Sequence, residues 1–212
     1  MASRKKRYHH GDLRAELLRA ARRCLEREGV EALTLRQVAR AVGVSHAAPA
    51  HHFADKQALL AAVAAQGFDE LTASMIAARE IAPADAVSRL NATGVAYVGY
   101  AAAHPNLFRL MFGRELSGCD QSVFADAAAR AYEVLQTAAK DVIQESDRTD
   151  DLPVVITSAW SLVHGMSLLW LDGRILVGAP AHALERMATD VTSLVGLALK
   201  AQTGPATPRR RR

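Results

Sequence analysis

The chain has 212 residues and a formal net charge of +4, with half of its residues hydrophobic and only 5% aromatic. That hydrophobic share excludes a mainly disordered chain, and the scarcity of aromatics favours helices over sheets. Two cysteines, Cys24 and Cys119, exclude a disulfide scaffold and point to a reduced compartment. Charge is unevenly placed: residues 1–60 hold 12 Lys or Arg against 6 Asp or Glu, residues 61–204 hold 10 against 16, and Arg209–Arg212 close the chain. A basic head points to a polyanion partner, and an acidic, apolar body to a different task; ordinary solvated surfaces are the plainer alternative.

In chain order, residues 1–10 read as a basic arm, with no apolar stretch behind it to make a secretory signal. A first helix is predicted from Gly11 or Asp12 to Glu28, its apolar face set by Leu13, Leu17, Ala20, Ala21, Cys24 and Leu25, and Gly29 stops it. Thr34 caps a short helix, with Gln37 three residues on completing a capping box, and Gly43 breaks it. Ser45 reads as the next N-cap, opening a third short helix through about His51 that Pro49 constrains. A fourth helix runs from about Asp55 to Arg79. Further helices are predicted over about 84–103, through Phe112 after the bend at His104-Pro105, and over about 120–145, 153–176 and 181–202. No strand is expected. The longest apolar stretch is interrupted by His164, Asp172 and Arg174, so no membrane span and no membrane partner are expected.

Residues 12–60 carry the strongest pattern. A helix, a short capped helix, a glycine turn and a second short helix form a helix-turn-helix arrangement, whose second helix enters the major groove, where base edges distinguish all four pairs. The expected reading helix is Ser45–His51; its alanines are small enough to approach base edges. Short capped helices also occur in plain bundles. Enzyme readings fare badly: there is no HExxH, GxSxG or phosphate loop, and His, Cys and carboxylates are not set at metal-ligand intervals. No catalytic site, metal or cofactor is expected.

The stretch LLRAARRCLEREGVEALTLRQVARAVGVSHAAPAHHFADKQALLAAV resembles the DNA-binding domain of TetR-family transcriptional regulators, and AWSLVHGMSLLWLDGR at 159–174, with Trp160, His164 and Gly165, resembles the WHG-type C-terminal domain of that family. The resemblance implies an all-α fold of about nine helices. A three-helix helix-turn-helix DNA-binding domain over 11–71 would join a larger ligand-binding and dimerisation domain over 72–203. It also implies a cytoplasmic, nucleoid-associated homodimeric repressor on a palindromic double-stranded operator, released by a small-molecule effector.

Residue by residue, the resemblance implies DNA contacts from Thr34, Ser45, His46, Ala47, Ala48, Ala50, His51, His52 and Lys56, with Lys56 on phosphate. Two departures stand out: the family has an aromatic residue where this chain has Ala50, and often Tyr where it has His51. Phe53, Leu35, Val38, Val44 and Leu59 are expected in the core. The arm Arg4, Lys5, Lys6 and Arg7 is expected on DNA, with a solubilising tail as the alternative. An effector pocket is expected from Tyr97, Tyr100, Phe108, Met111, Phe112, Trp160, His164 and Trp170, each of which could instead be plain core. His164, four residues after Trp160 on one helical face, reads as a hydrogen-bonded structural histidine, with Gly165 permitting close packing beside it. The competing reading is a helical small-molecule-binding or dimeric scaffold protein without operator recognition.

Overall fold

The computed structural model describes residues 13–146 and 152–201. Among these it holds eight α-helices, two 3-10 helices and no strand. The basic arm Arg4–Arg7 and the terminal arginines 209–212 lie outside the described residues. The helices are α1 Leu13–Ala32, α2 Leu35–Val42, α3 Lys56–Ile81, α4 Ala86–Ala103, α5 Pro105–Phe112, α6 Ser122–Ser146, α7 Leu152–Leu171 and α8 Ala181–Ala201. The 3-10 helices are Ala48–His51 and Arg114–Leu116. They form two compact units: residues 13–67 with Asn106–Asp126, and Phe68–Pro105 with the described residues from Ala127 onward.

In the first unit, α1 buries Leu17, Ala20, Ala21, Cys24 and Leu25 as its apolar spacing predicts, adds Leu18, and leaves Leu13 half-buried. Each fully buried leucine contributes about 1.5–3 kcal/mol. α5 adds Leu107, Phe108, Leu110 and Met111 to this core. At Gly67 a Cβ would lie 2.6 Å from Met111 Sδ, so glycine is what lets α3 and α5 pass closely. Asn106 Nδ2 donates to the Glu26 carbonyl at 2.9 Å and ties the start of α5 to α1.

The second unit centres on Ala86, Leu90, Ala138, Ala139, Val142, Ile143, Val155, Ile156 and Ala159. The start of α4 is doubly satisfied. Asp85 accepts from Ser88 N at 2.9 Å, and the Glu145 carboxylate accepts from Ala86 N at 3.3 Å, two anions at a helix N-terminus. Deeper in, a Cβ on Gly94 would lie 2.7 Å from Thr192 Cγ2 and 3.1 Å from Val163 Cγ1, which fixes how closely α4 approaches α7 and α8.

Gly29 breaks α1 as expected: it is non-helical (φ 80°, ψ 173°), and the chain makes one further turn beyond it to Ala32. Three expectations change. The reading helix is a one-turn 3-10 helix opened by Ala47, not an α-helix capped by Ser45, because Pro49 near its start has no N–H to donate. A Cβ on Gly165 would meet nothing within 4 Å, so within this chain that glycine is not needed for close packing. Finally, α7 is long and apolar enough to cross a membrane by length and composition. His164 alone does not interrupt it, and Asp172 and Arg174 fall beyond its end. Its Val155, Ile156, Ala159, Val163, Met166 and Ser167 are buried in the second unit.

Candidate nucleic-acid interface

The interface is built from three helix ends. Thr34, extended at φ −133° and ψ 150°, caps α2. Its Oγ1 accepts from Gln37 N at 3.2 Å, and its own N–H donates to Gln37 Oε1 at 3.1 Å, which completes the capping box. Sequence reasoning missed the next link: Gln37 Nε2 donates to Glu28 Oε2 at 2.7 Å, tying the start of α2 to α1. The Arg27 guanidinium beside Glu28 holds that carboxyl below the usual carboxylate range, with Gln37 adding to the effect. Only the long-range Glu–Gln pairing was hidden, since it spans the turn between two helices.

Gly43 ends α2 in the left-handed region at φ 82°. Its N–H donates to the Ala39 and Arg40 carbonyls, and Val44 N donates to Ala39 O at 3.0 Å, so the chain leaves α2 in a closed turn. The turn delivers Ser45, His46 and Ala47 to the surface, all exposed; Ala50, His51 and His52 are exposed as well, and Ala48 is half-buried. Pro49 alone is buried in the reading helix, and its carbonyl accepts from His52 N and Phe53 N. Phe53 is 4% exposed and lies under the Arg14 guanidinium, 5.3 Å from its ring centroid. Val38 and Leu59 are in the core as expected; Leu35 and Val44 are half-buried.

Asp55 caps α3, accepting from Ala58 N at 2.8 Å. Lys56 follows. Its ammonium points back to α1, donating to Val30 O at 2.7 Å, with Glu31 O at 3.4 Å.

The expected effector residues divide between the units. Phe108 and Met111 fill the core of the first unit, and the Phe112 ring lies against that of Phe108, tilted by 45° at 4.8 Å between centroids. Tyr97, Tyr100, Trp160, His164 and Trp170 belong to the second. There the Tyr97 hydroxyl and His164 Nδ1 are 2.8 Å apart. Burial pushes the Tyr97 phenol well above its usual range, so it keeps its proton. Burial lowers His164, which favours the neutral ring. The phenol is then the donor and Nδ1 the acceptor, which places the ring proton on Nε2. His164 is thus hydrogen-bonded, as its sequence context suggests. The Trp160 ring lies 6.1 Å from that of His164 and meets Tyr132 edge-on at 5.7 Å between centroids. The Tyr100 hydroxyl donates to Glu70 Oε2 at 3.3 Å, and its ring lies 4.7 Å from that of His104. Tyr132 and Glu70 went unnoticed in the sequence because an isolated residue of either type carries no motif.

Comparison with known proteins agrees with this geometry at both ends of the chain. Residues 17–63 match the family of bacterial regulatory proteins named for tetR, and residues 90–191 match the tetracyclin repressor-like C-terminal domain. The chain belongs to the TetR family. The first match covers α1, α2, the reading helix and the start of α3; the second runs from α4 into α8.

The HTH-type transcriptional repressor Rv1474c of Mycobacterium tuberculosis is 38% identical over 72 residues, 34% of this TetR-family chain and 37% of that repressor. The chain therefore spans little more than a third of the length of that curated relative. A Rhodococcus sp. RHA1 structure described as a protein with unknown function is 35% identical, with a TM-score of 0.79 over 92% of this chain and 98% of that one. The Bacillus subtilis regulator FadR, solved in complex with stearoyl-CoA, shares the fold at a TM-score of 0.69 and 14% identity, over 85% and 96% of the two chains.

Proposed function

We propose that this protein is a dimeric, sequence-specific DNA-binding transcriptional repressor, released from its operator by a small-molecule effector. One observation carries the reading: a capped α2, a left-handed turn at Gly43 and a reading helix whose side chains, the buried Pro49 and half-buried Ala48 apart, face outward. Ser45, His46, Ala47, Ala50, His51 and His52 supply the base-facing and phosphate-facing groups, with Ala48 beneath them. Thr34 brings the N-terminus of α2 to a phosphate, where outward N–H groups favour an anion. Lys56 lies at the edge of this surface. The arm Arg4–Arg7 adds sequence-independent affinity.

The homodimer is supported by α7 and α8. Val154, Trp160 and Leu169 on α7, and Met187 and Leu194 on α8, are exposed large apolar side chains. α7 carries no Asp, Glu, Lys or Arg over its twenty residues. An uncharged face of that length is covered when two copies pair, and a C2 dimer sets two reading helices about 34 Å apart, one turn of DNA, on a palindromic operator. The effector is a largely apolar molecule bound in the helical body; FadR from Bacillus subtilis, similar in fold, was solved in complex with stearoyl-CoA. Repression at DNA places the protein in the cytoplasm, on the nucleoid.

The test is a titration of the purified protein against duplexes from the region upstream of its own gene, with unrelated DNA as competitor. Competitor-resistant retention supports the reading. Uniformly competitor-sensitive binding, together with no enriched fragment in a genome-wide selection, moves the helical ligand-binding or scaffold reading into first place.

A further inference from the structure

The reading helix is four residues long and buries one side chain, Pro49. So short an element cannot fix its own position; its flanks, α2 before it and α3 after it, must do so. Each flank is joined to the last turns of α1 by a side-chain hydrogen bond. Gln37 ties α2 through Glu28 at 2.7 Å, and Lys56 ties α3 through Val30 at 2.7 Å.

The break at Gly29 explains why Lys56 is needed there. It leaves the final turn of α1, Val30 to Ala32, as a separate piece with carbonyls that have no helical donor. A cation is favoured at a helix C-terminus and disfavoured at an N-terminus. Lys56 is the first residue of α3, where its charge would be misplaced, and its side chain resolves this by folding back onto the α1 carbonyls. The ammonium is part-buried in that contact, and a second hydrogen-bond acceptor, Glu31 O, lies 3.4 Å away.

We infer that Lys56 is a positioning residue: its ammonium clamps the start of α3 to the end of α1, and so sets the reading helix for sequence discrimination, rather than binding a phosphate itself. The inference rests on the DNA-binding reading above and departs from the phosphate contact that the family resemblance implies for this lysine.

The test pairs binding with labelling on the full chain. Duplexes selected by the wild-type protein from a random library, and one unrelated duplex, are titrated against wild type and Lys56→Gln over a range of salt. A clamp predicts that Lys56→Gln loses roughly tenfold or more on the selected duplex and little on the unrelated one. It also predicts an unchanged slope of log affinity against log salt. A phosphate contact predicts equal losses on both duplexes and a slope smaller by about 0.9; that result overturns the inference.

Amine acetylation read by mass spectrometry needs no variant, and so decides the matter if Lys56→Gln fails to fold. The clamp predicts that Lys56 is slow to react with or without DNA, while the exposed Lys140 reacts readily. Lys56 reacting like Lys140 in the free protein overturns the inference. A wild-type chain that selects no duplex counts against the DNA-binding reading instead, and the labelling of the free protein still reports on the clamp.

Discussion

Tyr97 and His164 hold α4 and α7 together through one hydrogen bond of 2.8 Å, in a site where burial keeps the phenol protonated and the imidazole neutral. Trp160, one turn earlier on α7, has its ring 6.1 Å from that of His164.

The burial that lowers His164 makes stability depend on pH. The folded pKa of His164 lies below its unfolded value near 6.5, so between the two the unfolded chain binds more protons. Stability is fully present above about pH 6.5 and falls as pH drops through the lowered folded value. Thermal melts across this window should show a falling Tm for wild type and a smaller fall for His164→Gln. Equal dependence in the two proteins would show that His164 is not the responsible group.

Tyr97→Phe removes the donor and leaves Nδ1 buried without it, a loss of about 1–3 kcal/mol. Denaturant unfolding should register it. A loss within error of zero would mean that the bond contributes nothing net.

At the other end of the chain, Thr34→Ala deletes one half of the capping box and should cost about 1 kcal/mol. It should also weaken operator binding, because α2 would fray at the end proposed to approach phosphate. Unchanged stability and unchanged binding would together contradict the capping account.

Much of this was legible in the sequence. Thr34 with Gln37, and Gly43, are local signals, because a cap and a left-handed turn are decided by residues within four positions of one another. The face of α1 followed from its apolar spacing. What was not legible was of two kinds. Long-range pairs such as Gln37 with Glu28, Lys56 with Val30, or Tyr97 with His164 depend on where helices meet, and spacing within a helix does not report that. The reading helix was misjudged for a local reason: Ser45 looks like a cap, but the turn from Gly43 and the proline at 49 defer the first helical residue to Ala48. In the body, aromatic residues were grouped as one pocket by type alone, whereas Phe108 and Met111 fill the core of the first unit.

The uncharged face of α7 yields a further prediction. Ser161→Arg places a charge on an exposed position of that face. Sedimentation should show the dimer dissociating toward the 22.8 kDa monomer, with operator affinity lower by roughly tenfold or more, since one half-site alone is bound weakly. A variant that stays dimeric would place the interface elsewhere.

The most direct measurement is selection of bound duplexes from a random-sequence library by the purified wild-type protein, repeated with His51→Ala. The account predicts a palindromic consensus with half-sites about one DNA turn apart, bound far more tightly than unrelated DNA at equal salt, and weakened by about 1–3 kcal/mol in His51→Ala. A library that returns no consensus, or wild-type affinity equal on selected and unrelated duplexes, would contradict it.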